Sequence, residues 1–451
     1  MHKYEVREMT AFGAVWVLLL FFAVIKNMRP MLTTLVLFSC VFQSANVFVI
    51  KGQGIGPQVI TSAVACLYFL VSKLSEKKVC ISKTWITTRK ILVILFAYII
   101  LNSVRAGTLR TNILRIVQLS IYFLCFAVME ETGKYLNGKY VYKTLKKMSI
   151  FILVVGIVQV LATTNIISRH WLLREIFWND SSLTGGEVVQ FMWPYGSYFR
   201  FFSTYMEPSY FVGFSIGALF YFFNYKKNRV KDMPLIIALT FATILSFSSA
   251  GYGALLIAGI VYIALSREGK IKIIALVGGL CGFFILYFCF YNVLDSVVFS
   301  KMSSASAHAR ITWNLEAIQK FRSSPIWGVG YKNCRASSLF YTILAELGIV
   351  GFILYVLFIL SIIYPAFTKR GQGRVGDEYI GLTFSIIGVI ASQMVAVPDF
   401  DICTFWMWMY FLGLIIGRNN NRSQRIAKVE LRIQERKKLI KWQGNAAFVG
   451  E

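Results

Sequence analysis

Runs of about 20 apolar residues, with hardly a charge inside them, recur along the whole chain. A helix needs roughly that length to cross ~30 Å of hydrocarbon. Candidate spans fall near 11–26, 31–50, 55–74, 91–104, 112–130, 148–167, 209–224, 234–249, 250–265, 273–292, 339–364, 378–397 and 402–417. The pattern predicts an all-α polytopic membrane protein with about 13 (12–14) transmembrane helices. The first run, AFGAVWVLLLFFAVIK, has no small-residue cleavage site behind it and reads as a retained span. Composition agrees: 57% of the 451 residues are hydrophobic and 15% charged, where soluble domains carry roughly 25% charge. A net charge of +26 taken alone would suit nucleic acid, anionic lipid or an acidic substrate. The apolar excess decides against nucleic acid and for the membrane.

The segments between spans alternate in character, and this orients the chain. Lys77, Lys78, Lys83, Arg89 and Lys90 form one basic segment, and Lys134, Lys139, Lys143, Lys146 and Lys147 the next. Further basic clusters at Lys226–Lys231, Arg267–Lys272, Lys369–Arg374 and the C-terminal tail are each separated by two spans. All can therefore face one side, which the positive-inside rule makes the cytoplasm. About two thirds of the 47 Lys and Arg fall there. Residues 1–417 read as one transmembrane domain and 418–451 as a basic cytoplasmic tail. That tail mixes nine Lys and Arg with Ile426, Val429, Leu431, Ile433, Leu439 and Ile440. It suits either an amphipathic helix on anionic inner-leaflet lipid or a disordered stop-transfer segment. The expected location is a bacterial cytoplasmic membrane.

The remaining length lies in two long outward loops, 168–208 and 293–338, each expected to contain short helices. Neither has a disordered composition. The first holds Trp171, Phe177, Trp178, Phe191, Trp193, Tyr195, Tyr198, Phe199 and Phe201, and the second Trp313, Phe321, Trp327 and Tyr331. Aromatics with scattered Arg suit either a pocket or an interfacial belt. Arg200 and Glu207 fall on one face if the stretch is helical, and Pro208 is well placed to open the next helix. A carboxylate at that depth is costly unless paired or working. In the second loop an amphipathic segment with Ile311, Leu315 and Ile318 on one side leads to a Pro325–Gly330 turn, whose glycines allow close backbone approach to a ligand. Glu346, isolated in an apolar span, is a functional candidate, while Gly348 and Gly351 suit helix packing. The small-residue stretch Leu245–Gly253 reads as a tight turn between two spans. Of eight Cys, most lie in apolar runs, and there is neither a CxxC pair nor a Cys/His cluster, so a zinc or redox site is unsupported.

At these residues the sequence resembles the Wzy-type O-antigen and capsular polysaccharide polymerases, which share a superfamily with the O-antigen ligases. The matching pieces are Arg200…Glu207-Pro208-Ser209, the LSFSSAGYG turn, and Arg310-x-x-Trp313…Phe321-x-x-x-Pro325-x-x-Gly328-x-Gly330-x-x-Asn333…Glu346-x-Gly348-x-x-Gly351. They cover roughly residues 198–352. In the ligases a His-Asn pair precedes the last glutamate motif, whereas Ser337 and Ser338 stand here, which favours a polymerase. Arg174 also begins an Arg-x10-Gly spacing ending at Gly185, like one found in some polymerases.

The resemblance implies outer-face transfer of a growing glycan from undecaprenyl diphosphate to a lipid-linked repeat unit, making a capsular, O-antigen or exopolysaccharide chain. A flippase and a chain-length regulator of the same pathway are possible partners. The donor is already activated, so no nucleotide site is needed, and neither a P-loop nor a Rossmann fingerprint is present. Charge developing on the diphosphate calls for fixed cations, for which Arg is suited by its planar fork. Arg200 and Arg310 are the first candidates, followed by Arg169, Arg174 and Arg322, with Trp313 and Asn333 lining the substrate site. Glu207 is the leading general base, with Glu346, His308 and the pair Asp399/Asp401 as alternatives. No cofactor and no metal is expected. Two other readings stay open: a ligase moving finished glycan to a protein, lipid or wall acceptor, and a lipid-linked oligosaccharide flippase or transporter.

Overall fold

Each apolar run must satisfy its own backbone in hydrocarbon, and helices do so. The computed structural model describes residues 9–50, 53–76, 86–163, 194–195, 198–205, 207–225, 228–265, 305–368, 374–396, 398–419 and 421. Among them are α1 (Ala11–Ile25), α2 (Arg29–Ser39), α3 (Pro57–Glu76), α4 (Ile86–Arg105), α5 (Leu109–Gly133), α6 (Tyr140–Thr163), α7 (Pro208–Asn224), α8 (Arg229–Leu245), α9 (Ser249–Leu265), α10 (Ala305–Ser323), α11 (Leu339–Thr368), α12 (Arg374–Val395) and α13 (403–419). Two short antiparallel ladders, β1 (Phe48–Ile50) with β2 (Gln53–Ile55) and β3 (Pro194–Tyr195) with β4 (Tyr198–Phe199), complete the described elements.

Among the described residues, five stretches combine the length and apolarity to cross a membrane: Pro57–Leu74, Leu109–Gly133, Tyr140–Leu161, Leu339–Ala366 and Gly376–Val395. Ala11–Ile25 and Gly251–Ala264 are apolar but shorter. Apart from the two short ladders, the described residues in regular structure are helical, and the protein is membrane-embedded. The expected span 273–292 and most of the tail lie outside the described residues.

α13 is the centre of the bundle. Phe405, Trp406, Met407, Trp408, Met409, Tyr410 and Phe411 are all at or below 1% exposure, as expected of a helix apolar on every side. Glycines let its neighbours come close: Gly413 and Gly417 lie on the backbone of α5 at Phe126 and Glu130, and Gly217 of α7 lies under Trp408. α12 packs on α7 and α9, α11 on α4, and α3 on α5. By contrast Leu67, Leu70, Val71 and Leu74 of α3 are exposed, the lipid-facing side expected of a peripheral helix.

Two expectations need correction. The run 31–50 is helical only to Ser39. Residues 40–47 are irregular and almost wholly buried, because their polar groups bond to other segments. Ser44 donates through N and Oγ to Thr204 O at 3.2 and 2.8 Å, and Gln43 Nε2 donates to Thr404 Oγ1 at 2.7 Å. Non-helical backbone is tolerated at such a place when protein surrounds it. The run 339–364 is also interrupted: α11 carries a break at Gly348 (φ 64°, ψ −168°).

Ion pairs mark one end of the bundle. Arg89 meets Glu130 at 2.5 Å, Lys73 meets Glu131 at 3.3 Å, and Lys146 meets the fully buried Asp232 at 2.7 Å. Arg418 pairs with Glu378 there, and its Nη1 also donates to Gly138 O at 2.7 Å. Arg89, Lys134, Lys146 and Arg418, which belong to four of the basic segments of the sequence, lie at this cationic end.

Candidate functional site

The motif segments meet at the other end. Residues 200–205 follow β4 and are held from three sides. Phe201 N donates to Leu245 O at 2.9 Å, and Arg200 Nε to Ser246 O at 3.2 Å. Gln159 of α6 accepts from Ser203 N at 2.8 Å and donates to Arg200 O at 3.3 Å. Arg200 and the 245–253 turn, two separate pieces of the sequence motif, are therefore in contact. In that turn Ser248 Oγ caps α9 by accepting from Gly251 N at 3.1 Å. Glu207 is exposed and extended (φ −143°, ψ 156°) as the N-cap of α7, and it accepts from Ser209 Oγ at 3.1 Å. The segment is not helical here, so the predicted common helical face of Arg200 and Glu207 is not formed.

The second constellation is built on backbone contact between 325–330 and 345–350. Val329 N donates to Ala345 O and Gly330 N to Glu346 O, both at 2.9 Å, while Ile349 N donates to Pro325 O at 2.9 Å. Gly328 (φ 75°) and Gly348 (φ 64°) have left-handed backbones, and a Cβ on either would collide with the opposite chain. These glycines allow the close approach of the two backbone segments, a contact the sequence reading did not foresee at the Pro/Gly turn. For Gly348 it also replaces helix packing, since breaking α11 exposes the carbonyls that the turn and α4 use. Asn102 Nδ2 donates to Glu346 O at 2.9 Å, Tyr98 Oη to Leu347 O at 2.7 Å, and Arg105 to Gly328 O. Asn112 of α5 donates to Tyr331 O at 2.9 Å.

This scaffold presents Lys332, a residue the sequence reading did not single out. Lys332 has a left-handed backbone (φ 59°) and its ammonium lies 2.5 Å from Asp399 Oδ1 and 2.7 Å from Asp401 Oδ1. Burial alone would lower its pKa, but Asp401, Asp399 and Glu346 outweigh burial and hold the ammonium above its usual value. Asp401 is buried and Asp399 reaches solvent. Glu346 is 3% exposed and borders, with Lys332, Tyr331, Tyr355 and Thr342, a cavity holding room for roughly one water. Its Oε1 and the Tyr331 and Tyr355 hydroxyls have no hydrogen-bond partner among the described residues. Glu346 is thus part of an acid–ammonium cluster rather than an isolated carboxylate. Tyr210 of α7 lies within electrostatic reach of Asp399, Asp401 and Glu207, which puts the cluster on the same face as the first constellation.

The other candidates sit on or beside α10. Arg310 is half-buried and His308 and Arg322 are exposed. Trp313 is covered by the Arg335 guanidinium, 4.1 Å from its ring centroid. Asn333 is a turn element: its Nδ2 donates to Val329 O at 3.1 Å and its carbonyl accepts from Lys320 Nζ at 2.7 Å. Ser337 donates through N and Oγ to Asn314 Oδ1, each at 3.0 Å. Arg169 and Arg174, with most of the aromatic first loop, lie outside the described residues. α10 packs against α11, so Arg310 and Arg200 are carried by different elements. Among the described residues no group of three His, Cys, Asp or Glu is arranged to hold a metal ion. The arrangement offers a carboxylate at a helix N-terminus, a solvent-reaching aspartate beside a fixed ammonium, and guanidinium groups on two flanking segments. No protein-family model and no curated protein matches the chain.

Proposed function

We propose that the protein is a membrane glycosyltransferase that polymerises undecaprenyl-diphosphate-linked oligosaccharide repeat units on the outer face of a bacterial cytoplasmic membrane. One observation carries the reading: pieces scattered over 200–209, 245–253 and 325–351, together with the loop at 399–401, are held at the end opposite the cationic one. In this reading the cationic end is cytoplasmic, the C-terminus lies inside, and about 13 helices span. Two of those expected spans then include the irregular stretch 40–47 and the Gly348 break.

The chemistry is a displacement at an anomeric carbon. An acceptor hydroxyl oxygen forms the new C–O bond while the bond from the anomeric carbon to the diphosphate oxygen breaks. The lipid diphosphate leaves with the electron pair, and the hydroxyl proton passes to Glu207. Arg200 and Arg310 stabilise the charge gathering on the diphosphate, helped by Arg169, Arg174 and Arg322. The Lys332–Asp399–Asp401–Glu346 cluster fixes the loop on which Asn333 and the acceptor side of the site depend.

The deciding experiment gives purified protein defined lipid-linked repeats and sizes the products. Ladders of multiple repeats are expected, with ladders lost in Arg310→Ala and Glu207→Gln proteins that still reach the membrane. Undiminished ladders in both variants would eliminate this site, and no chain growth by the unaltered protein would eliminate the polymerase reading.

A further inference from the structure

α10 carries three stripes, each with the i, i+4, i+7 spacing of one helix side. Trp313, Ala317 and Lys320 turn towards the protein, and Ala317 is buried against Ala336 and Ala345. Thr312, Glu316, Gln319 and Ser323 form an exposed polar side. Ile311, Leu315, Ile318 and Arg322 form a third side, on which Ile311 and Leu315 are each 54% exposed. We propose that this aliphatic stripe, with the tip Ile326–Trp327 that follows it, is immersed in the lipid of the leaflet at the site end. The apolar side of a helix on a water-covered surface packs inward. Here the small Ala317 packs inward, and the aliphatic side stays open beside a separate polar one. A helix so divided rests one side on protein, one in water and one in hydrocarbon.

The surroundings of the stripe point to lipid as its cover. Ile326 and Trp327 are 55 and 48% exposed. The Trp327 ring stacks on Tyr98 of α4 with centroids 6.2 Å apart, and its carbonyl accepts from Tyr98 Oη at 3.1 Å. Val350 N donates to Ile326 O at 3.3 Å. These contacts seat the tip where the exposed side of α11 begins, a row formed by Ile349, Ile353, Leu357 and Leu360. That row belongs to Leu339–Ala366, a stretch long and apolar enough to cross a membrane, so the tip continues a lipid-facing surface. The stretch has 28 residues, more than the ~20 that hydrocarbon requires, and its first turns accordingly lie in the interfacial layer. α10 is docked there, through Ala345 and through the Ser337–Asn314 hydrogen bonds. Trp327 suits that layer, and the Arg322 stem lies along acyl chains while its guanidinium reaches the headgroup phosphates.

The test places the full-length protein in nanodiscs of phosphatidylethanolamine and phosphatidylglycerol. A nitroxide is attached through p-acetylphenylalanine introduced at one position at a time, which leaves the native cysteines in place. Leu315 and Ile326 report the stripe and the tip, Glu316 and Gln319 the polar side, and Ile353 a lipid-facing reference. Power-saturation EPR then compares collisions with oxygen, which concentrates in hydrocarbon, and with a water-soluble nickel chelate. The oxygen-to-nickel ratio at positions 315 and 326 should lie within roughly twofold of that at 353, and at least roughly fivefold above that at 316 and 319. Nickel collisions at 315 and 326 as frequent as at 316 would place the stripe in water. Few collisions with either reagent would mean that a second copy or another protein covers it. Either outcome overturns the proposal. A second measurement needs no label: W327F should reduce the share of tryptophan emission quenched by lipid brominated near the headgroup. An unchanged share would overturn immersion of the tip.

Discussion

Removing the Lys332 ammonium should loosen the whole 324–338 turn. Lys332→Met keeps the length of the side chain and deletes its charge. The buried partner is Asp401, 2.7 Å away and 4% exposed; two unit charges at that distance attract by ~6 kcal/mol at an effective dielectric of ~20. Desolvation offsets part of this, and stripping one member from a buried pair typically costs ~3–5 kcal/mol. Asp399 is 41% exposed and adds no more than ~1 kcal/mol. A local loss of ~3 kcal/mol corresponds to amide exchange about a hundredfold faster wherever protection depends on the turn. The reporters are Val329 and Gly330, whose N–H groups donate to Ala345 and Glu346, followed by hydrogen exchange and mass spectrometry in detergent. Lys332→Met/Asp401→Asn should recover more than half of the lost protection, because it no longer strands a buried charge. The pH dependence has a definite sign. The folded-state pKa of Lys332 lies above its ordinary value, so its contribution is fully present below the unfolded pKa and is lost only as pH rises through the folded one. Protection contributed by the lysine should therefore be flat from pH 6 to pH 9. Exchange within threefold of the unaltered protein in Lys332→Met, or no relief in the double variant, would refute the cluster as the element holding the turn.

Gly348→Ala forces a Cβ into a left-handed position already occupied by the Ile326 carbonyl; a cost of at least ~3 kcal/mol is expected, seen as lost protection at Ile349 and Val350, while Gly107→Ala, also left-handed but with open space around it, should cost ~1 kcal/mol. Arg418→Ala leaves the buried Glu378 unpaired and should destabilise by ~3 kcal/mol, with Arg418→Ala/Glu378→Gln closer to the unaltered protein in thermal unfolding. Burial pushes the Cys334 thiol up to about 11, so at pH 8 its peptide should carboxymethylate at least tenfold more slowly than an unperturbed thiol, the rate climbing with pH towards 11; equal rates at pH 8 would contradict that burial.

The apolar runs made the helices legible because each span satisfies its own backbone and needs no distant partner. The clustering of cations was legible for a similar reason: charge counts between spans do not depend on packing. Where residues answer to partners far away in sequence, local pattern failed. The helix of 31–50 stops at Ser39 because Gln43 and Ser44 bond to Thr404 and Thr204, segments that periodicity cannot bring near. Lys332 escaped notice because its meaning depends on Asp399 and Asp401, which follow two helices later; a lysine after Gly-x-Gly-Tyr has no local signature. Glu346 was recognisable as costly in an apolar run, but its setting against Lys332 was not. The glycines at 328 and 348 were visible as glycines, and only the backbone shows that they touch each other's chain.

The charges at the site end constrain how a lipid diphosphate could lie there. Lys332 is ringed by three carboxyl groups, Asp399, Asp401 and Glu346, so this corner offers no net attraction to a phosphate. A phosphate charge placed ~6 Å from an unbalanced carboxylate is repelled by ~3 kcal/mol at an effective dielectric of ~20. The diphosphate of the proposed donor would be driven instead towards Arg200, beside the 245–253 turn, and towards Arg310 on α10. A sugar hydroxyl has the opposite preference, since it can donate to Asp399 or Glu207. In the proposed reaction, leaving group and acceptor would thereby be sorted to different parts of one end by charge alone. This sorting predicts different failures: Asp399→Asn should weaken use of the acceptor repeat with donor affinity retained, and Arg200→Gln the reverse. Steady-state kinetics with donor and acceptor varied separately would show it, and equal loss for both substrates in both variants would mean that the two regions do not divide the work.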